Sequence, residues 1–408
     1  MRYFMKSVIE KFLKYVSYDT TSDEDSASYP STEKQLVLLA ELKNELAALG
    51  LDAKMDEHGY VTATLAANGT LSGKKICFIS HVDTSPAVSG TNVKPQIIRY
   101  EGGDVVLNEE KNVVFSAAEY PEISAYVGQQ IIFTDGTTLL GADDKAGIAE
   151  IMTALEYLVS HPNVKHGEIK VAFTPDEEVG AGVKYFDVAS FGADFGYTVD
   201  GGKLGEIEYE NFNAAAATLT VNGTSIHPGE GKNKLKNAIE IFAEFQKSLP
   251  EKETPFYTSG YEGFYMASSV SGSVENLVAK YIIRDHDMAK FEAKKSTFVS
   301  LSQKLNEKYG AGTCVADVTD SYYNMSEIIK NNFHLIDNAK LAMEKAGVKP
   351  IVVPIRGGTD GATLSHRGLP CPNLSTGGHN FHGRFEYIPV QSMEKMVEVI
   401  LNLVEIYR

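Results

Sequence analysis

Cysteine is scarce in this sequence, and its scarcity excludes two classes of protein. Only three of the 408 residues are cysteines, Cys77, Cys314 and Cys371, and they lie far apart along the chain. This set is too small for the disulfide framework of a small secreted domain, and too scattered for a structural zinc site built from cysteine ligands. We therefore expect a protein of the reducing cytoplasm.

Long apolar runs are also missing. No run approaches the roughly 20 apolar residues that a membrane-spanning helix needs. The first residues, MRYFMKSVIEKFLKYVSYDT, place lysines among the apolar positions and lack the continuous apolar stretch of a secretory signal. We expect a chain that is neither exported nor inserted into a membrane.

Positive charge is in deficit. The sequence has 38 lysines and arginines against 54 aspartates and glutamates, which gives a formal net charge of −16 at pH 7. Such a balance repels the phosphates of nucleic acids and anionic membrane surfaces. We therefore expect neither nucleic acid nor a membrane as a partner, and small or cationic partners fit better.

Apolar residues, in contrast, are abundant enough for a large core. Hydrophobic residues make up 43% of the chain, and its length exceeds that of one ordinary domain. Strand-like runs alternate with amphipathic helices, one of which spans residues 31–50 with Ser31 or Thr32 as its predicted N-cap. The runs include KKICFIS, QQIIFT, EIKVAFT, DFGYTV, PIVVPI and NLST. This alternation predicts an α/β fold with an open, mostly parallel sheet and helices on both faces.

Residues 211–321 differ in pattern from the rest of the chain. Their pattern of apolar residues predicts the order strand, helix, strand, strand, helix, strand, which is the order of the ferredoxin-like split unit. The α/β pattern resumes after them. We expect residues 1–210 and 322–408 to form one domain, and residues 211–321 to form a smaller α+β domain inserted into it.

Acids and histidines follow the predicted strands where each strand ends. His81 and Asp83 end the first run, and because residues i and i+2 of a strand project to the same side, these two side chains could meet one target. Further candidates come after the other strands: Asp143, Glu177 and Glu178, Asp200, and His379 and His382.

Each of these candidates has an ordinary explanation when taken alone. Asp143 or Asp144 could cap a helix, the tandem glutamates could form a solvated turn, and Asp200 could serve an Asp-Gly turn. The carboxyl ends of strands in an open α/β sheet meet at one edge, however. Acids gathered there would repel one another, and a bound cation would relieve that repulsion.

Three carboxylates and two histidines without a thiolate suit zinc, manganese or cobalt. Five ligands exceed the needs of one catalytic zinc ion, and they suit two ions about 3.5–4 Å apart that hold a water and a scissile carbonyl. The residues alone leave the choice between His379 and His382 open. The G-x-S-x-G motif of serine hydrolases is absent from the sequence.

Seven motifs together resemble those of the peptidase T family, the tripeptide aminopeptidases within a superfamily of dizinc aminopeptidases, carboxypeptidases and amidohydrolases. The motifs are SHVDTSP, GADDKAG, TPDEEVG, TVDGG, GTSIHPG, RGGTDGA and GGHNFHGRFE. The resemblance extends over essentially the whole chain. It implies an inserted lid domain, two Zn²⁺ per subunit with Mn²⁺ or Co²⁺ as substitutes, and small peptides, mainly tripeptides, as substrates. It also allows a homodimer.

The resemblance further implies a role for each site residue. Asp143 would bridge both metals, and Glu177 would be the general base. Asp83 would fix the tautomer of His81. The remaining metal ligands would be His81 and Asp200 for one ion, and Glu178 and His382 for the other.

Two residues of the inserted domain, His227 and Arg284, and Arg356 of the larger domain would bind the substrate. The resemblance makes His227 a polariser of the scissile carbonyl, brought over the site by domain closure. Arg284 and Arg356 would bind the terminal carboxylate of the peptide. Alternatives from the residues themselves are a packed histidine, a surface ion pair for Arg284, and a cation that stabilises its own glycine-rich turn for Arg356.

Other functions remain compatible with the same metal-binding residues. The chain could be a dipeptidase, carboxypeptidase or deacylase, because two metals cleave an amide without identifying which end of the peptide is free. A non-catalytic metal-binding scaffold is a further alternative, although metal binding alone would not require Glu177.

Overall fold

The computed structural model describes residues 2–69 and 73–408. The chain divides into two compact units. The first unit comprises Met1–Tyr209, Glu327–Val353 and Thr359–Arg408, and the second comprises Glu210–Ser326 and Pro354–Gly358. Among the described residues, no helix combines the length and the apolar character needed to cross a membrane.

The helices and strands are numbered in chain order. The α-helices are α1 (Arg2–Val16), α2 (Gln35–Ala48), α3 (Ala142–Ser160), α4 (Val188–Phe191), α5 (Ala238–Ser248), α6 (Met288–Tyr309), α7 (Ser326–Lys330), α8 (His334–Lys345), α9 (Asp360–His366) and α10 (Val390–Ile406). The strands are β1 (Asp52–Met55), β2 (Val61–Leu65), β3 (Lys75–His81), β4 (Gln96–Arg99), β5 (Val105–Asn108), β6 (Val113–Phe115), β7 (Gln130–Phe133), β8 (Glu168–Thr174), β9 (Phe195–Gly201), β10 (Glu206–Glu208), β11 (Asn213–Asn222), β12 (Phe264–Gly272), β13 (Asn276–Asp285), β14 (Cys314–Tyr322), β15 (Ile351–Val352), β16 (Asn373–Ser375) and β17 (Tyr387–Pro389).

The first unit is built on an eight-stranded sheet with the order β1-β2-β8-β3-β9-β16-β10-β15. Its centre is parallel, since β3 runs parallel to β8 and β9, and β9 runs parallel to β16. Antiparallel strands lie towards its edges. The apolar run of β3 is buried from its second residue onwards, as expected of a strand covered on both faces. The predicted fold class is confirmed.

Helices cover both faces of this sheet, and β3 projects apolar side chains towards each face. Phe78 lies on the face shared with α3 and α10. Cys77 and Ile79 project to the other face, where they join a cluster that includes Phe191 of α4 and Leu364 of α9. The carboxyl end of β3, with His81, is thereby fixed between two packed layers.

One predicted strand of the sheet belongs elsewhere. The run QQIIFT forms β7, which pairs antiparallel with β4 and β17 in a separate three-stranded sheet. This small sheet has its own core, which includes Phe115, Phe133 and Tyr387. An apolar run of three residues does not reveal the partner strands of β7, so the position of this strand could not be predicted from sequence. Asp143 therefore follows a strand of the small sheet and not one of the central sheet.

The second unit contains a four-stranded antiparallel sheet with the order β12-β13-β11-β14. Along the chain its elements are β11, α5, β12, β13, α6 and β14, so the predicted ferredoxin-like arrangement is confirmed. Alternate residues of β11, among them Leu219 and Val221, pack with Phe245 of α5 and Phe298 of α6 in one core. In this region the apolar residues of the helices and of the strands are the buried ones. Its secondary structure could therefore be predicted from the periodicity of the sequence.

The predicted cap of α2 is wrong. The helix begins at Gln35, and Lys34 at the N-cap position makes no side-chain cap hydrogen bond. Ser31 instead donates its backbone N–H and its hydroxyl to the carboxylate of Asp176. A buried carboxylate in the loop after β8 competes with the helix terminus for this serine, and the sequence around Ser31 does not reveal that competitor.

Candidate dimetal centre

His81, the last residue of β3, is held by Asp83 two residues later. Its Nδ1 lies 3.0 Å from the backbone carbonyl of Asp83 and 3.2 Å from its Oδ1. A carbonyl oxygen can only accept, so Nδ1 carries the proton and a neutral ring presents a lone pair at Nε2. That Nε2 lies 2.9 Å from Asp143 Oδ1 and 3.3 Å from Asp200 Oδ1.

Asp83 has a second set of contacts that the sequence did not reveal. The backbone N–H groups of Glu177 and Glu178 donate to its Oδ1 and Oδ2 at 3.0 and 3.1 Å. Asp83 is fully buried. One carboxylate therefore orients the imidazole of His81 and also fixes the backbone of the tandem glutamates.

The tandem glutamates lie in a turn beyond the end of β8. Asp176 adopts a left-handed conformation with φ of 58°, which takes the chain out of the extended conformation. Its carboxylate accepts hydrogen bonds from Ser31 and from the Gln35 side chain. Adjacent residues of a regular strand point to opposite sides, but this turn removes that restriction for Glu177 and Glu178.

The carboxylate of Asp143 lies between two histidines. Its Oδ1 is 2.9 Å from His81 Nε2, and its Oδ2 is 3.1 Å from His382 Nε2. His382 Nε2 is also 2.9 Å from Glu178 Oε2. Each carboxylate oxygen of Asp143 therefore faces one histidine, so the side chain offers a donor atom on either side.

Burial makes this collection of acids electrostatically costly. It raises the pKa of Glu178 to about 7 and of Asp200 to about 6, and it raises the pKa of Glu177 well above its usual range. Hydrogen bonds to Asp143 and Glu178 raise the pKa of His382 to about 11. Without a cation, protons on the histidines and acids must offset the excess negative charge.

The side chains present fit divalent cations. Candidate ligand atoms of His81, Asp143 and Glu178 lie within 4.8 Å of one another, and so do those of His81, Asp144 and Asp200. Glu178 Oε1 is buried without a hydrogen-bond partner, so it has an unused lone pair. Imidazole and carboxylate donors without a thiolate suit zinc, manganese or cobalt.

The side chain of His379 contacts two tyrosines. Its Nε2 lies 2.7 Å from the hydroxyl of Tyr126, and its ring stacks on Tyr387 with centroids 4.6 Å apart. Burial lowers its pKa to about 4, so the ring is neutral at pH 7. His382, and not His379, is the histidine that contacts Asp143 and Glu178.

A matched pair of variants tests this distinction. We expect His379→Gln to retain the metal content of the wild type, because its ring contacts tyrosines and no acid of the cluster. We expect His382→Gln to lose metal, because it removes a nitrogen that faces two of the acids. Elemental analysis after dialysis measures both. Loss of metal from the His379 variant alone would reverse the assignment.

His227, Arg284 and Arg356 belong to the second unit. The side chain of His227 is exposed, and its Nδ1 accepts the backbone N–H of Gly229 at 3.2 Å. An accepting Nδ1 leaves the proton of a neutral ring on Nε2. His227 can therefore donate a hydrogen bond from Nε2.

Arg284 lies on β13 with part of its guanidinium unpaired. Its NH1 donates to the backbone carbonyl of Arg356 at 3.0 Å, and its Nε is buried without a partner. The guanidinium lies 6.0 Å from the ring centroid of Phe264 and 5.9 Å from that of Tyr322. Arg284 thus retains donors for an anion.

The guanidinium of Arg356 makes its hydrogen bonds within the second unit. Its NH1 donates to the backbone carbonyls of Gly260 and Glu262 at 2.7 and 3.0 Å, and its NH2 donates to the Thr258 hydroxyl at 2.9 Å. Arg356 therefore fixes the loop 258–262 and presents its own carbonyl to Arg284. This is close to the ordinary alternative for Arg356, a cation that stabilises a turn.

Comparison with known proteins identifies the family. Residues 139–406 match the model of peptidase family M20/M25/M40. This chain belongs to that family. The match covers well over half of the chain and includes Asp143, the tandem glutamates, Asp200 and His382.

Relatives within the M20 family match this chain over nearly its whole length. A protein named peptidase T from Caldanaerobacter subterraneus subsp. tengcongensis is 56% identical over 405 residues, which are 99% of each chain. Another from Clostridium novyi is 55% identical over 99% of this chain and 100% of its own. The crystal structure of aminopeptidase PepT from Bacillus cereus has a TM-score of 0.78 at 26% identity and covers 98% of both chains.

Two buried acids of this M20 site were not predicted as functional from sequence. Asp144 Oδ2 accepts the backbone N–H of His81 at 3.2 Å, and Asp144 belongs to one of the two candidate ligand groups. Asp360, in the motif RGGTDGA, accepts the hydroxyl of Thr174 at the end of β8 at 3.0 Å. The only sequence signal for either residue is its place inside a motif, since both contacts depend on loop conformation.

Proposed function

We propose that this chain is a metal-dependent tripeptide aminopeptidase, which releases the N-terminal residue of tripeptides. The observation that carries this proposal is the carboxylate of Asp143 between His81 and His382, with Glu177 beside Glu178. The names of the relatives at 55–56% identity support the substrate class.

The proposed metal ligands follow from the contacts. His81 and Asp200 would hold one ion, Glu178 and His382 would hold the other, and Asp143 would contact both. We propose Zn²⁺ as the metal, with Mn²⁺ or Co²⁺ as substitutes. When bound, two such ions would polarise the scissile carbonyl and lower the pKa of a water towards neutrality.

Glu177 is the proposed proton carrier. Its carboxylate oxygen would take a proton from the attacking water as the water oxygen bonds to the carbonyl carbon. The same proton would pass to the amine nitrogen as the C–N bond breaks. The backbone of Glu177 is fixed by Asp83, so the carboxylate begins from a defined position.

The second unit would supply the substrate-binding groups. His227 would donate from Nε2 to the carbonyl oxygen of the scissile bond. Arg284 would bind the terminal carboxylate, for which a guanidinium is well suited, while Arg356 would position Arg284 and complete the carboxylate site. A tripeptide spans about 10 Å at ~3.3–3.6 Å per residue, so an anchor for its carboxylate would select for length.

Substitution of Arg284 tests the carboxylate site. We expect Arg284→Ala to raise KM for a free tripeptide by about 10- to 100-fold, because a charge-assisted hydrogen bond contributes about 1.5–3 kcal/mol. KM for the corresponding tripeptide amide should change little. Steady-state kinetics with both substrates gives the comparison. Equal losses on the two substrates would remove the carboxylate site from the proposal.

Peptides blocked at one end test the overall function. The free tripeptide should release its N-terminal residue, the N-acetyl tripeptide should resist cleavage, and the tripeptide amide should be cleaved with a higher KM. Release of the C-terminal residue would indicate a carboxypeptidase, a preference for dipeptides a dipeptidase, and release of acetate a deacylase. If no peptide is cleaved with added zinc, manganese or cobalt, the remaining alternative is a non-catalytic metal-binding scaffold.

We also propose a cellular location for the protein and a role for each of its two units. We infer a cytoplasmic location, since Cys77, Cys314 and Cys371 are free and buried. The first unit would be the dimetal domain, and the second would act as a lid and offer a surface for a homodimer.

A further inference from the structure

Glu386 is a buried carboxylate four residues after His382. Its side chain is 1% exposed. Its Oε2 accepts the backbone N–H groups of Leu140 and Gly141 at 2.7 and 2.8 Å, and its Oε1 accepts that of Asp143 at 3.1 Å. Three backbone donors of the segment that enters α3 therefore converge on one side chain.

These three donors lie at the start of a helix, where backbone N–H groups lack partners within the helix. Gly141 is left-handed with φ of 80°, which bends the segment around the carboxylate. The backbone N–H of Asp143 donates to Glu386, and this hydrogen bond fixes the backbone of Asp143. The side chain of Asp143 lies between His81 and His382.

Glu386 is also fixed to the loop that carries His382. Its N–H donates to the carbonyl of Gly383, and the next residue, Tyr387, exchanges two backbone hydrogen bonds with His379. Tyr387 begins β17, which pairs with β7. One carboxylate thus joins the segment of Asp143 to the base of the His382 loop.

We propose that Glu386 is a positioning residue that sets the metal affinity of the site, by holding Asp143 and the His382 loop at a fixed separation. This inference rests on the metal site of the proposed function. Groups that orient metal ligands typically change metal affinity by about 10- to 100-fold when they are replaced.

The test is the affinity of metal-free protein for Zn²⁺, measured by competition with a chromophoric chelator. We expect Glu386→Gln to weaken binding by about 10- to 100-fold, because the amide places an NH₂ group against a backbone N–H. Glu386→Asp keeps the charge and should recover part of the loss. Circular dichroism of the metal-free variants confirms that the measurement is made on folded protein.

Glu150 provides the matched control. It lies on α3 in the same unit, is fully buried, and has no hydrogen-bond partner on either carboxylate oxygen. Glu150→Gln therefore replaces an equally buried carboxyl group without releasing the Asp143 segment, and it should leave Zn²⁺ affinity within about threefold of the wild type, against the larger loss typical of ligand-orienting groups.

Unchanged Zn²⁺ affinity in folded Glu386→Gln would overturn the proposal, whatever its thermal stability. An equal loss in the Glu150 variant would also overturn it, because the effect would then be general to replacement of a buried carboxyl group in this unit. Neither readout uses peptide cleavage. A wild type that binds Zn²⁺ but cleaves no tripeptide would refute the proposed function and leave the role of Glu386 to be decided by the affinities.

Discussion

Glu177→Gln is expected to lower kcat for tripeptides by about 10²- to 10⁴-fold, the usual contribution of a general base. The amide matches the carboxylate in shape but cannot take a proton from water. The backbone N–H that binds Asp83 is unchanged, so Asp83 continues to fix Glu178 and His81. Metal content should therefore stay at the level of the wild type, as measured by elemental analysis beside steady-state kinetics.

The neighbouring residue supplies a control of the same chemistry. Glu178→Gln also exchanges a carboxylate for an amide, but at a side chain that contacts His382 and has a buried oxygen without a partner. It should lose metal, whereas the Glu177 variant should lose turnover alone. Near-normal activity of Glu177→Gln, or identical metal loss in both variants, would show that the two roles are wrongly divided.

Asp143→Ala is expected to reduce both metal content and activity. Asp143 contacts His81 through one oxygen and His382 through the other, so its removal affects both ion positions. Two ions contribute several kcal/mol of charge stabilisation, and each 1.36 kcal/mol is tenfold in rate, so kcat should fall by about 10³-fold or more. Retention of two ions per chain by this variant would contradict its assignment.

Asp144→Asn separates a ligand role from a structural one. The adjacent Asp144 accepts the backbone N–H of His81, and an amide oxygen can still accept that bond. If Asp143 is the shared ligand, this variant should retain more metal than Asp143→Ala under the same dialysis. The opposite order would transfer the bridging role to Asp144.

The parts of the fold that sequence predicted well are those in which burial leaves a periodic pattern. Strand β3 has apolar neighbours in the run ICFI because both faces of the central sheet are covered, and β11 alternates because one face of its sheet carries the core. Strand β7 has a similar apolar run, IIF, but it pairs in the small sheet. Its partners are distant in sequence, and composition does not specify them.

The residues of the candidate site could be predicted where they lie at strand ends, but not where their contacts depend on loops. His81 and Asp200 lie at the carboxyl ends of β3 and β9, and Glu177 and Glu178 follow β8. The topology of the central sheet therefore brings these residues to one edge. The contacts of Asp83, Asp176 and Glu386 with backbone N–H groups could not be predicted, because they depend on left-handed turns and loop conformations. The hydrogen bonds of Arg356 to the loop 258–262 belong to the same class.

The proposed mechanism requires two divalent ions that share the carboxylate of Asp143. Crystals grown with Zn²⁺, with diffraction data collected on both sides of the zinc absorption edge, test it most directly. A shared carboxylate predicts two anomalous peaks about 3.5–4 Å apart, both within coordination distance of Asp143, one beside His81 and Asp200 and the other beside Glu178 and His382. A single peak, or two peaks that leave Asp143 without a metal contact, would contradict it.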